Sequence, residues 1–248
     1  MKINPGNTRG LLVPQGDRPF SFVVYSSEIR DFGVINGGVG IIENNCSGEI
    51  VIQGSGGGID AGYTANIRIG ASGEGSVFEV INREAGVITI ENSEDGGAIS
   101  DLAAKNGYGR IVNEGTGTIN IIGKYAESPY TSNCVISIIA SKGSRGEVVN
   151  GINGELNIIQ NSNSSTIGSL GVGSIVNSGV MNVVGGESGG AAIDNITDIG
   201  KASIVNNTGG RIIFKSVGSQ NLGFRSCRRR RKTVDLLVAQ ANPGYSRG

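Results

Sequence analysis

One short pattern of apolar and polar positions returns six times along the chain. Two residues, usually aliphatic, precede an Asn; a Gly follows, then aliphatic–x–aliphatic. The copies are Ile42-Glu43-Asn44 with Gly48, Ile50 and Ile52; Val80-Ile81-Asn82 with Gly86, Ile88 and Ile90; and Ile111-Val112-Asn113 with Gly117, Ile119 and Ile121. They continue as Val148-Val149-Asn150 with Gly154, Leu156 and Ile158; Ile175-Val176-Asn177 with Gly179, Met181 and Val183; and Ile204-Val205-Asn206 with Gly210, Ile212 and Phe214. The Asn positions lie 38, 31, 37, 27 and 29 residues apart. After each Gly the aliphatics alternate, so Ile119 and Ile121 face one side and Thr118 and Asn120 the other, as in a half-buried strand. A second inward-facing strand precedes each Asn. A third apolar piece lies upstream of most copies, as at Ile67-Arg68-Ile69, Ala98-Ile99, Val135 to Ile139, Ile167 to Leu170 and Ala192-Ile193.

A unit of three short strands cannot bury its apolar face alone, but stacked units can, each strand pairing with its counterpart in the next coil. The prediction is an all-β solenoid of about six to seven coils. A degenerate first copy is expected around Val34-Ile35-Asn36. The recurring Asn44, Asn82, Asn113, Asn150, Asn177 and Asn206 predict a structural ladder of stacked amides, against the simpler reading of each as a turn former. Asn–x–x–x–Gly is expected to bend the chain because both residues accept left-handed geometry. Three segments follow: residues 1–32 as an N-terminal cap or leader, 33–218 as the repeat body, and 219–248 as a basic tail outside the solenoid.

Composition agrees. There are 32 Ile and 22 Val against 8 Leu, and branching at Cβ suits a pleated surface better than a helix. Gly reaches 43 of 248 residues without a period of three, which excludes collagen. The absence of His removes every His-dependent triad and metal site. Cys46, Cys134 and Cys227 fit neither a zinc ribbon nor a disulfide framework. The zero net charge hides a split. Residues 1–224 hold 14 positive and 20 negative side chains, while the tail carries Arg225, Arg228 to Arg231, Lys232 and Arg247 against Asp235. An acidic body without a basic stripe predicts no nucleic-acid partner. The Arg228–Lys232 run reads as a solvated, disordered block rather than an anion site.

The rhythm Ile-Val-Asn-x-Gly-x-Gly-x-Ile-Asn-Ile-x-Gly, clearest at Ile111–Gly123 and Ser174–Gly185, resembles the passenger domains of large Gram-negative autotransporter adhesins over residues 33–218. The resemblance implies a right-handed parallel β-helix, exported through a C-terminal outer-membrane β-barrel and shown at the cell surface or secreted. It also implies an adhesive, scaffolding or virulence role. Implied partners are a protein or glycan on a host or neighbouring cell, and further copies of the chain. Pro5, Gly6 and Pro14 interrupt any signal-peptide core, and no C-terminal barrel of alternating strands of about ten residues is recognisable. The expectation is a passenger fragment lacking the barrel it needs, or the non-functional product of a disrupted gene.

Some β-helices cleave polysaccharide with acids aligned on neighbouring coils, so a lyase or hydrolase is the rival from another class. Here Glu43, Glu49, Asp60, Glu74, Glu79, Glu84, Glu91, Glu94, Asp95 and Asp101 show no common repeat position, and the expectation is no enzyme, no cofactor and no metal. Glu91-Asn92-Ser93-Glu94-Asp95-Gly96 spaces oxygens like the start of a calcium loop, yet without its distal Glu it reads as a polar turn. Thr116-Gly117-Thr118 is a single Thr-x-Thr and carries no ice-binding ladder. Tyr125 and Tyr130, in the insertion Lys124 to Thr131, are the binding candidates, since loop aromatics on a rigid scaffold contact sugars and proteins.

Overall fold

The structure, a computed structural model, describes residues 9–12, 21–25, 31–35, 37–45, 47–54, 68–92, 98–123, 134–161, 165–185, 192–195 and 201–215. Among them are strands and turns and no helix. The strands come in rounds. First are β1 (Arg9–Leu12), β2 (Ser21–Tyr25) and β3 (Asp31–Ile35), then β4 (Val39–Asn44), β5 (Glu49–Gly54) and β6 (Arg68–Ser72). Next are β7 (Val77–Asn82), β8 (Val87–Asn92) and a split third piece, β9 (Ile99–Asp101) with β10 (Ala103–Ala104). They are followed by β11 (Tyr108–Asn113), β12 (Thr118–Gly123) and β13 (Ile136–Ala140), and by β14 (Arg145–Asn150), β15 (Glu155–Gln160) and β16 (Ile167–Gly171). The last are β17 (Ser174–Asn177), β18 (Val180–Val184), β19 (Ile193–Asn195), β20 (Ser203–Asn206) and β21 (Arg211–Lys215).

The opening strands of successive rounds form one seven-stranded sheet, β1-β4-β7-β11-β14-β17-β20. The second strands form another, β2-β5-β8-β12-β15-β18-β21. The third strands make two shorter sheets, β10-β6-β3 and β19-β16-β13-β9. Neighbours pair in parallel, as a β-solenoid requires: Asn113 lies opposite Asn82 on one side and Asn150 on the other. Ile121 likewise lies between Ile90 and Ile158.

The core fills the space between the sheets. Ile111, Ile119 and Ile121 are wholly buried, as are their counterparts one round on, Val148, Leu156 and Ile158. The third sheets add Leu102, Ile136, Ile139, Ile167 and Leu170. Burying one such side chain stabilises the fold by about 1.5–3 kcal/mol. Thr118 and Asn120 remain half-exposed on the outer face.

Two local readings change. Val34 and Ile35 do not open a first copy of the Asn unit; they sit in β3, opposite Ala71 and Ser72 of β6. The strand before β4 in its sheet is β1, with Leu11 and Leu12 opposite Ile41 and Ile42. Asn36 and Asn44 lie only 8 positions apart, too few for the two strands a unit needs. The two long sheets thus reach into residues 1–32 through β1 and β2. Residues 219–248, with the Arg-rich run, lie outside the described residues.

The second change concerns glycine. The motif glycines Gly86, Gly117, Gly154 and Gly179 are not at positive φ. Gly117, Gly154 and Gly179 are glycine because there is no room for more. A Cβ on Gly117 would stand 2.1 Å from the Gly86 carbonyl oxygen and 2.5 Å from Asn82 Nδ2. On Gly109 it would stand 1.9 Å from the Leu102 carbonyl oxygen, where the third sheet crowds the first.

Candidate functional site

Three side-chain ladders run along the stack. The inner one is made by the repeated Asn, which ends every strand of the first long sheet from β4 onward and points inward because it falls two residues after the buried aliphatic. Asn82 Nδ2 donates to Asn113 Oδ1 at 3.0 Å, Asn113 to Asn150 at 3.0 Å, Asn150 to Asn177 at 2.9 Å and Asn177 to Asn206 at 2.8 Å. Each amide also closes its own turn. Asn82, Asn113 and Asn150 donate to the carbonyls of Gly86, Gly117 and Gly154 at 2.9–3.0 Å, and in the shorter copy Asn177 donates to Gly179. Ladder and turn former are therefore one arrangement. Asn44 closes its turn onto Gly48 at 2.9 Å and reaches Val87 O at 3.4 Å, and Asn82 Oδ1 has no hydrogen-bond partner among the described residues.

The second ladder lies on the outer face of the other long sheet and was not foreseen. Asn182 Nδ2 donates to Asn157 Oδ1 at 2.7 Å, Asn157 to Asn120 at 3.0 Å and Asn120 to Thr89 Oγ1 at 3.4 Å. Its signal was present as an Asn between two inward aliphatics: Ile119-Asn120-Ile121, Leu156-Asn157-Ile158 and Met181-Asn182-Val183.

The third ladder is ionic and lies on the outer face of the first sheet. Arg83 bonds both Glu43, one round before, and Glu114, one round after. Glu79, Arg110 and Glu147 share one column of the register, and Arg110 Nε meets Glu79 Oε1 at 2.5 Å. In the next column Arg145 stacks 5.1 Å over the Tyr108 ring and bonds Glu147 at 2.7 Å, while Tyr108 Oη donates to Glu147 Oε2 at 3.3 Å. Burial, reinforced by Glu147, raises the Tyr108 pKa. Some acids therefore do share a repeat position, with an Arg between them. These pairs are exposed or half-buried, and each is worth about 0–1 kcal/mol.

Two further titratable groups are perturbed. Burial raises the pKa of Asp101. Burial, with the charge of Asp194, pushes the Cys134 thiol up to about 11. Cys134 is thus held protonated, the reverse of an activated nucleophile. We expect iodoacetamide at pH 8 to label Cys134 far more slowly in the folded chain than in urea, as peptide mass mapping would read. Equal rates would contradict this burial.

Tyr125 and Tyr130 lie outside the described residues, as do positions 93–97 of the acidic turn. Among the described residues no three His, Cys, Asp or Glu side chains stand close enough to hold a metal. Compared with protein-family models, curated proteins and solved structures, the chain matches none.

Proposed function

We propose that the chain is a right-handed β-helical passenger segment of about six to seven coils from a surface-displayed adhesin of the autotransporter type, acting by adhesion or as a scaffold rather than by catalysis. The observation that carries this reading is the ladder arrangement. Polar groups on the outer faces bond from one round to the next, so they are spread along the stack instead of converging on one point. An enzyme needs convergent groups around a reacting atom, whereas an adhesive rod needs a long, regular face. Right-handedness follows from the strong preference of parallel strand–crossover–strand connections. At ~4.8 Å per strand, seven stacked strands make a rod of roughly 30 Å.

The test is display. The 248-residue chain is fused ahead of a heterologous outer-membrane β-barrel translocator and shown on a non-adherent Gram-negative host. The expected result is surface labelling by antibody together with faster cell settling or attachment to epithelial cells. Surface labelling with neither settling nor attachment would contradict the adhesive role. Failure to reach the surface, with the chain folded inside the cell, would contradict the passenger reading.

A further inference from the structure

The corner that joins the third strands to the first long sheet is made of stacked turns. Tyr108 and Arg145 are register partners. Arg145 N donates to Gly107 O, and Ser141 N to Ala103 O, both at 3.0 Å. Counting back along these turns, Lys142 occupies the place that Lys105 occupies one round earlier. Both are exposed. Their backbones are ~4.8 Å apart, so two like charges are held as neighbours, an unfavourable arrangement by itself. Neither Lys has an ion-pair partner among the described residues.

The backbone adds a second, independent observation. Lys105 has φ 49° and Asn106 φ 67°. A long side chain in the left-handed region is costly, and the preceding turn, one residue longer, places Gly73, φ 102°, after Ser72, the register partner of Ala104. Gly would therefore be the cheaper residue at 105. The turn is held in this shape from outside: Lys105 N and Asn106 N donate to the hydroxyls of Ser141 at 3.3 Å and Ser144 at 3.0 Å.

Three residues on from each Lys stand Tyr108 and Arg145. The Arg145 side chain is 72% exposed while it stacks on the ring. Glu147 neutralises Arg145, and Glu74 on the preceding turn closes that end with the opposite sign. Among the described residues, the cations of this corner without an ion pair are thus the two lysines.

We propose that Lys105 and Lys142, with the Tyr108–Arg145 stack beside them, form a binding ledge for an acidic polysaccharide. The rung spacing is close to the length of one sugar residue, so successive carboxylates or sulfates on a chain laid along the stack meet successive lysines. The aromatic face takes a sugar ring. The ledge needs only the folded stack, so it stands apart from the adhesin reading and its test leaves surface display untouched.

The experiment measures binding of the purified full chain to immobilised heparin, polygalacturonate and neutral dextran. The expected result is salt-sensitive binding to one or both acidic polymers and none to dextran, the tighter arm telling sulfate from carboxylate. Lys105→Ser with Lys142→Ser should weaken that binding about tenfold, a loss of two exposed charge contacts. Lys105→Gly should also weaken it while melting no lower than the parent chain, since Gly suits the left-handed turn. A control with Arg228, Arg229, Arg230 and Arg231 changed to Ser should bind as the parent does. Binding that survives the double Lys change, binding lost in the tail control, or equal binding to dextran would overturn the proposal.

Discussion

Ile121→Asp should unfold the protein or remove most of its stability. Ile121 is wholly buried between Ile90 and Ile158, with apolar neighbours on every side. A carboxylate there has no partner, and an unpaired buried charge costs about 3–5 kcal/mol beyond the lost apolar burial. That is comparable with the whole stability of a typical domain, about 5–15 kcal/mol. Ile158→Asp should behave alike. Thr118→Asp, three residues earlier on the half-exposed face, should cost well under 1 kcal/mol, its one penalty being repulsion from Glu155 opposite. Urea unfolding followed by circular dichroism reads the three variants, and equal losses at 118 and 121 would mean that the inward and outward phases are exchanged.

The second large effect belongs to the inner ladder. Asn113 Nδ2 donates to Gly117 O, Asn150 Oδ1 and Glu155 O at 2.9–3.1 Å, and its Oδ1 accepts from Asn82. Asn113→Ala removes these bonds and leaves buried acceptors unmet, a loss of about 2–4 kcal/mol. Asn113→Asp should be worse at pH 7, because an oxygen replaces the amide nitrogen facing three acceptor oxygens. Burial and those oxygens raise the folded carboxyl pKa, so protonation favours the folded state. The Asp variant should therefore be most stable below the unfolded carboxyl range, about 4, and lose stability as pH rises through its folded pKa. Asn153→Asp, at an exposed turn position with φ 63°, should be almost silent. If Asn113 acted only as a turn former, Asn113→Ala would cost no more than about 1 kcal/mol, and unfolding curves at pH 7 and pH 4, each against the parent chain, would separate the two.

How much of this was legible in the sequence depends on whether the cause was local. Alternation at Ile119 and Ile121 lies within one strand, and the recurrence of Asn–x–x–x–Gly is a repeat any reader can align. Those two facts carry the long sheets and the inner ladder. The ionic ladder was legible too, because Glu79, Arg110 and Glu147 each stand three residues before Asn82, Asn113 and Asn150, but it went unread because the comparison followed only the apolar, Asn and Gly positions and looked for acids alone. The register then pairs them across neighbouring strands. The role of the motif glycines was misread for a different reason: the atom that excludes a Cβ at Gly117 belongs to the previous round. Val34-Ile35-Asn36 misled because an aliphatic pair before Asn is too short a signal to tell a strand of the first sheet from one of the third.

The in-register parallel stack is the claim on which the ladders, the core and the lysine ledge all depend, and it is tested most directly by paired cysteines. In a chain with Cys46, Cys134 and Cys227 changed to Ser, Asn120→Cys and Asn157→Cys replace register partners on the same outer face. Their Cα atoms are ~5 Å apart, within disulfide reach. Pairing Asn120→Cys instead with Ile159→Cys shifts one partner two residues along the strand, to ~8 Å, beyond that reach. Mild oxidation followed by non-reducing electrophoresis and mass mapping should give a rapid intramolecular disulfide in the first pair and none in the second. A bond in the shifted pair, or none in the matched pair, would contradict the stack.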